Sequence, residues 1–342
     1  MTTIKDVAQE AGVSITTVSH VINETRYVSE ELTEKVYEAM RALNYRPNII
    51  ARSLRSGRTK TIGLVVPDIS NPFFADFSRK IEDKGFEHGY NVILCNTDEN
   101  PAKEEMYVNV LISKQVDGLI FFSSGTSKSF KNTVTLGDVP VVVTDREPEI
   151  TNSDVVLIDN HAGGYKATSY LISLGHQRIA CISGPSPIRP SAHRVEGYRS
   201  ALMEAGIAFD QDLVRNGDFR SSSGDKEMKV LLKLPDPPTA VFACNDMMAL
   251  GAMSAIKEAN LNIPEDISVV GFDNTPISSL VYPQLTTISQ PIKEMADLAV
   301  ELLIEKMNIK EEQKRQKEIS PEYKRIILNT ELVIRDTCAK LV

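Results

Sequence analysis

No apolar run in these 342 residues reaches the length of a membrane span. The first residues, Met1-Thr2-Thr3-Ile4-Lys5-Asp6, lead into a helical pattern without the apolar core of a signal peptide. The expectation is a cytoplasmic protein with no membrane partner. Cysteine is scarce: Cys95, Cys181, Cys244 and Cys338 stand far apart, the first three inside apolar runs. With no CxxC pair and no Cys/His cluster for zinc, reduced thiols in core positions are expected. The motifs of common enzymes are missing too: no GxGxxG after the first strand, no GxxxxGK[ST], no GxSxG and no metal-ligand spacing. His161, His176 and His193 have no acid or nucleophile partner in sequence and read as turn or surface histidines. The expectation is a protein without catalytic residues, cofactor or metal.

What the chain does have is length, an ordinary core content and an uneven charge. At 342 residues it exceeds what one core usually supports, so two or three domains are expected. Hydrophobic residues make up 42% and charged ones 25%, as in soluble globular proteins. The net charge of -8 argues against nucleic acid only on average. Residues 1–60 hold nine Lys and Arg against seven Asp and Glu, or +2, which leaves -10 for the remainder. That asymmetry suits a nucleic-acid-binding head on an acidic body repelled by phosphates.

In the head, Ile4, Val7, Ala8 and Ala11 put one apolar stripe on a short first helix that Gly12 ends. Ser14 is placed to cap a second helix whose inner face is Val18, Val21 and Ile22, leaving Ile15, Thr16, Ser19 and His20 pointing away. Two short helices joined by a tight glycine turn form a helix-turn-helix, whose second helix enters the major groove. There Thr16 can contact a phosphate or thymine methyl, and His20 can donate to guanine. A third helix starts at Ser29 and carries Leu32, Val36, Ala39 and Leu43 on its inner face. Between Arg46 and Lys60 lie five basic residues and no acidic one. Pro47 stops the third helix, and Asn48 can cap a short one running to about Ser56, too short to be stable alone.

From residue 61 on, apolar runs alternate with helical patterns: Ile62 to Val66, Val92 to Cys95, Gly118 to Phe122, Val139 to Val143, Val155 to Ile158, Ile179 to Ile182, Ala240 to Ala243 and Ile267 to Gly271. Such Val/Ile-rich runs mean parallel sheets covered on both faces. Eight units fit two doubly wound lobes better than one. The chain is expected to cross between them at Asp159 to Gly164 and again at Thr286 to Pro291. The expected organisation is a small all-α head, 1–47; a hinge helix and linker, 48–60; a first α/β lobe, 61–160 plus 291–320; and a second, 161–290 plus 321–342. The charged stretch Lys310 to Lys324 reads as a solvated loop. Two lobes joined by crossings form a clamshell that closes on a small ligand at the strand ends. At those ends stand aromatics to flank a ring and carboxylates, amides and arginines for its edge, which suits a polyhydroxylated sugar, whose hydroxyls both donate and accept.

The runs Thr3-Ile4-Lys5-Asp6-Val7-Ala8, Ala11-Gly12-Val13-Ser14, Thr17-Val18-Ser19-His20-Val21-Ile22-Asn23, Val28-Ser29-Glu30 and Leu43-Asn44-Tyr45 closely resemble the head of the LacI/GalR (lactose-repressor) family of bacterial transcription regulators. The second helix is similar to that of the ribose and purine repressors, and the body looks like a type I periplasmic-binding-protein fold. The resemblance implies contacts to double-stranded DNA by Thr16, Thr17, His20, Asn23, Arg26, Leu54 and Arg55. Leu54 would be a wedge in the minor groove, with Arg52, Arg55 and Arg58 on phosphates or the groove floor. It also implies a ribose-type sugar pocket. Phe73, Phe74 and Phe219 would flank the ring, and Asn71, Asp145, Arg146, Arg194, Asn245, Asp273 and Gln290 would hold its hydroxyls. Purine-sensing relatives carry an extra arginine and a threonine where this chain has Ile188 and Pro190, which disfavours purine sensing. Gly271-Phe272-Asp273-Asn274-Thr275 and Pro283-Gln284-Leu285-Thr286-Thr287 resemble the catabolite control protein, so a regulator triggered by a phosphorylated carrier protein stands as the rival. The tail from Ile334 lacks tetramerising leucine heptads. A homodimer on a pseudo-palindromic operator is expected: a repressor controlled by ribose or a related monosaccharide.

Overall fold

The computed structural model describes residues 2–23, 25–46, 57–122, 139–145, 153–185, 188–315 and 322–341. Contacts divide the chain into two compact units, residues 1–59 and 60–342.

The first unit holds three helices, α1 (Ile4–Glu10), α2 (Ile15–Asn23) and α3 (Glu30–Ala42). Thr3 opens α1 through a capping box, in which Asp6 Oδ2 accepts from the Thr3 N–H at 2.7 Å and from its hydroxyl at 2.9 Å. Those two bonds, the backbone one foremost, hold the Asp6 carboxyl below its usual range. Gly12 makes the turn at φ +64°, where a glycine has no side chain to clash. Ser14 caps α2, its Oγ accepting from the Thr17 N–H at 3.0 Å. Ser29 precedes α3 as expected, but its side chain makes no capping bond. Val7, Val18 and Val36 are fully buried, with Ala8, Val21 and Ala39 around them. At about 1.5–3 kcal/mol for each fully buried valine, these three anchor a core that three short helices could not hold by propensity alone. The expected hinge helix lies outside the described residues.

The second unit contains two six-stranded sheets. The first has the order β11-β5-β4-β3-β1-β2, all parallel, from β1 (Thr61–Val66), β2 (Asn91–Asn96), β3 (Gly118–Phe121), β4 (Val141–Thr144), β5 (Asp154–Ile158) and β11 (Arg325–Leu328). The second has the order β12-β10-β9-β8-β6-β7, from β6 (Ile179–Ser183), β7 (Val214–Asn216), β8 (Ala240–Ala243), β9 (Ser268–Asp273), β10 (Thr286–Ser289) and β12 (Glu331–Val333); it is parallel except for the edge pair β10–β12. Its chain path is two doubly wound α/β lobes. Among the described residues the α-helices of this unit are α4 (Pro72–Glu87), α5 (Pro101–Ser113), α6 (Asn160–Ser173), α7 (Arg189–Glu204), α8 (Ser221–Leu231), α9 (Asp246–Glu258) and α10 (Ile292–Arg315).

All eight expected strands are present within two residues of their expected ends. Four further strands, β7, β10, β11 and β12, are three or four residues long and each includes at least one polar side chain, so none forms a long apolar run. One of them moves a boundary. Arg325–Leu328 pairs with β5 of the first sheet, so the last crossing falls at Asn329-Thr330, later than the expected 320/321. The segment Thr286–Ser289 is a strand of the second sheet, and the crossing itself is Gln290-Pro291. Helix α10 continues to Arg315, absorbing the start of the stretch expected to be a loop. Cys95, Cys181 and Cys244 are buried free thiols, and Cys338 is half-buried. No helix among the described residues is long and apolar enough to cross a membrane.

Helices α6 and α7 meet backbone to backbone. A Cβ at Gly164 would lie 2.1 Å from the Arg194 carbonyl oxygen, and one at Gly197 would lie 2.1 Å from that of His161. The close approach fixes where α7 presents Arg194. Gly164→Ala is therefore expected to lower stability by about 1–3 kcal/mol, as overpacking a rigid contact does, read as a lower midpoint in urea unfolding.

Candidate effector pocket and nucleic-acid interface

The carboxyl ends of the two sheets face one another across a cavity of about 180 Å³. Asn71 caps α4 on the first lobe, its Oδ1 accepting from the Phe73 N–H at 3.0 Å. Phe73 and Phe74 follow, packed edge-to-face on each other at 5.0 Å and on Phe122 at 6.5 and 5.2 Å, an arrangement that suits the ring quadrupoles. Asp145 directly follows β4 at φ +63°, a left-handed conformation that Asp tolerates better than most residues. From the second lobe comes Phe219, at φ +67°. Its ring lies so close over Gly184 that a Cβ there would fall 2.1 Å from it.

Arg194 and Asp273 sit at the centre, each 4% exposed. The Arg194 Nε donates to Asn160 Oδ1 at 2.7 Å, and Nη1 donates to the Cys244 carbonyl at 2.6 Å. Its guanidinium carbon lies 3.7 Å from the centre of the Phe272 ring, and Nη1 is 3.8 Å from Asp273 Oδ1. Gln290 donates from Nε2 to the same carboxylate oxygen at 2.7 Å. The buried Gln290 Oε1 has no hydrogen-bond partner among the described residues. Burial pushes the Asp273 carboxyl well above its usual range, Arg194 opposes the shift, and the nearby Asp246 adds to it. Asn245 caps α9 by accepting from the Met248 N–H at 2.9 Å and donates to the Phe219 carbonyl at 2.9 Å. Much of its bonding therefore shapes the wall.

Behind Asp273 lies Asp246, fully buried. It accepts from the Thr275 N–H at 2.7 Å, the Thr275 hydroxyl at 2.9 Å and the Thr287 hydroxyl at 2.6 Å. Burial outweighs these bonds and pushes its pKa up to about 6.

Of the ten residues expected in the pocket, nine line this cavity; Arg146 lies outside the described residues. Sequence reasoning missed Asn160, which orients Arg194, and the polar rim of Asp68, Asp98, Glu99, Asp218 and Arg220. Arg220 is 3.7 Å from Asp68 across the cleft. Its neighbour Phe219 was the available signal. Two of the three surveyed histidines are at least partly exposed, but His176 is buried. Its ring nitrogens meet the Thr239 and Ser268 hydroxyls at 3.0 Å each, a core role in place of the expected turn or surface one.

On the head, Thr16 and Arg26 are exposed. Thr17 Oγ1 lies 2.8 Å from Ser14 Oγ, within the cap of α2. His20 Nδ1 lies 2.7 Å from Thr25 Oγ1, and Asn23 donates to the Ser19 carbonyl at 2.7 Å. Leu54 and Arg55 lie outside the described residues.

Residues 3–48 match bacterial regulatory proteins of the lacI family, and residues 59–326 match the periplasmic binding proteins and sugar binding domain of the LacI family. The chain belongs to the LacI family. It is 41% identical over 342 residues to the HTH-type transcriptional repressor PurR of Vibrio campbellii, covering 100% of both chains. It is similar in structure to the lac repressor dimer bound to operator and the anti-inducer ONPF, with a TM-score of 0.84 and 29% identity over 99% of each chain. It is also similar to a LacI family transcriptional regulator from Enterococcus faecium with bound ribose, with a TM-score of 0.72 and 34% identity over 82% of this chain and 100% of that one. The head is thus the DNA-binding part of a LacI-family transcriptional repressor. The PurR name of the relative does not speak for the ribose expectation.

The unfolded Asp246 carboxyl titrates near 3.8, the folded one near 6, so the folded state holds this proton more tightly. Its contribution to stability is fully present below pH 3.8 and is lost as pH rises through about 6. Asp246→Asn should flatten the dependence of unfolding free energy on pH within that window, measured by urea titrations of both proteins.

Proposed function

We propose that this repressor binds a pseudo-palindromic operator as a homodimer and is released from it by a small sugar, ribose or a related monosaccharide, so governing genes of sugar uptake and use. The observation that carries the reading is the buried cluster of Arg194, Asp273 and Gln290 between aromatic walls. A guanidinium donates, a carboxylate accepts and an amide does both. Sugar hydroxyls need donors and acceptors side by side, while Phe73, Phe74 and Phe219 cover the apolar C–H faces. The open acceptor on Gln290 Oε1 suits a hydroxyl proton. The cavity is below the roughly 300–1,000 Å³ of drug-sized sites, which favours one ring over two.

The PurR name invites a purine-type effector instead. Against that stand Ile188 and Pro190, which line the cavity where purine-sensing relatives are expected to carry an arginine and a threonine. A body triggered only by a phosphorylated carrier protein would have little use for so fully furnished a pocket. In the proposed mechanism the sugar draws the lobes together, shifts the first lobes of the dimer and alters how the two hinge segments pair on DNA.

Two measurements test this. Arg194→Ala and Asp273→Ala should each weaken ribose binding by about 2–5 kcal/mol, because either change leaves a buried charge without its partner. Calorimetry in which ribose fails to bind the unaltered protein, or binds both variants equally well, rules out the sugar reading. On the head, His20→Ala should cost about 1–3 kcal/mol of operator affinity, the scale of one base contact. Fluorescence anisotropy with the operator reads this, and an unchanged affinity removes His20 from the interface.

A further inference from the structure

The cleft has a charge balance that bears on the form of its ligand. Six carboxylates line it: Asp68, Asp98, Glu99, Asp145, Asp218 and Asp273. Among the described residues only two cations line it with them, Arg194 and Arg220. Both are engaged by the protein itself. Arg194 is held by Asn160, the Cys244 carbonyl, the Phe272 face and Asp273. Arg220 reaches over the cleft mouth to Asp68 at 3.7 Å. It also lowers the Asp98 pKa, which the hydrogen bonds from Lys103 and Asn96 hold down more strongly. Placing Arg146 in the cleft as well would still leave the balance negative.

A phosphate monoester carries about −1.5 to −2 charges at neutral pH and three acceptor oxygens. In this cleft it would meet carboxylates that can only accept, and they outnumber the two guanidinium groups, each of which already faces a carboxylate of the protein. A hydroxyl in the same place donates its proton to a carboxylate and gains a bond. We propose that the cleft admits its ligand only in the uncharged, unphosphorylated form, so that the repressor reads a sugar before it is phosphorylated and is blind to the sugar phosphate. The identity of the ligand rests on the sugar reading above; the exclusion of phosphate rests on the cleft charges.

Calorimetry on the full chain with four probes separates the two. D-ribose and D-ribose 5-phosphate form one pair, hypoxanthine and inosine 5′-monophosphate the other. The expected result is binding of D-ribose, with D-ribose 5-phosphate weaker by roughly 100-fold or more, as like-charge contacts costing several kcal/mol require. If hypoxanthine binds and ribose does not, the sugar reading falls. The charge proposal then stands only if inosine 5′-monophosphate is excluded. A phosphorylated probe that binds within about tenfold of its neutral partner, a difference of only about 1.4 kcal/mol, overturns the proposal, and so does a panel in which neither neutral probe binds. As a second arm, the double variant Asp68→Asn, Asp98→Asn removes two charges and frees Arg220. It should narrow the neutral-to-phosphorylated affinity ratio by about tenfold. An unchanged ratio places the selectivity elsewhere and overturns the proposal.

Discussion

A guanidinium taken almost wholly out of water must be satisfied by fixed neighbours, or the fold around it fails. Arg194 meets that demand with groups from three separate segments: the amide of Asn160 at the start of α6, the carbonyl of Cys244 after β8, and the ring of Phe272 with the carboxylate of Asp273 in β9. Each partner is held in turn. Asn160 stands on a helix pressed against α7 at Gly164 and Gly197. Asp273 is held by Gln290 and backed by the Asp246 cluster. The centre of the pocket is thus held by fixed neighbours, and side chains locked by their own contacts are what precise recognition of a small ligand needs.

The two ends of the molecule solve recognition in opposite ways. The head has a small core of valines and alanines and offers an exposed threonine and a histidine that a nearby hydroxyl steadies. The body buries the polar groups at the centre of its pocket, Arg194, Asn245, Asp273 and Gln290. A surface that must slide along phosphates gains from exposure, whereas a site that must tell one small molecule from another gains from excluding water and leaving unpaired polar groups with any wrong ligand.

Much of this was legible in the sequence because the strongest signals are local. The stripes of α1 to α3 follow from period and the eight strands from continuous apolar runs, and aromatic, acidic and amide residues at strand ends mark the cleft. What stayed hidden depends on partners distant in the chain. Strand β11 is four residues, Arg325 to Leu328, and is a strand only because β5 offers it an open edge. Asn160 looks like one more polar residue at a helix start until Arg194 arrives from 34 residues away. His176 has no partner in sequence, yet meets Thr239 and Ser268 across the second lobe. The Arg220–Asp68 pair needs both lobes in place. Period and composition cannot report such pairings, since they are properties of the folded topology.

The lobes are joined by three strands of chain, at Asp159, at Gln290-Pro291 and at Asn329-Thr330. Three tethers side by side act like the leaves of a door hinge: they permit a swing about one line and resist sliding or twisting. Two of them adjoin the pocket, since Asn160, which holds Arg194, follows the first and Gln290 is the second. A molecule in the cavity therefore touches the axle as well as the door panels, and in the proposed closure a small shift at the axle is carried to the far edges of the lobes.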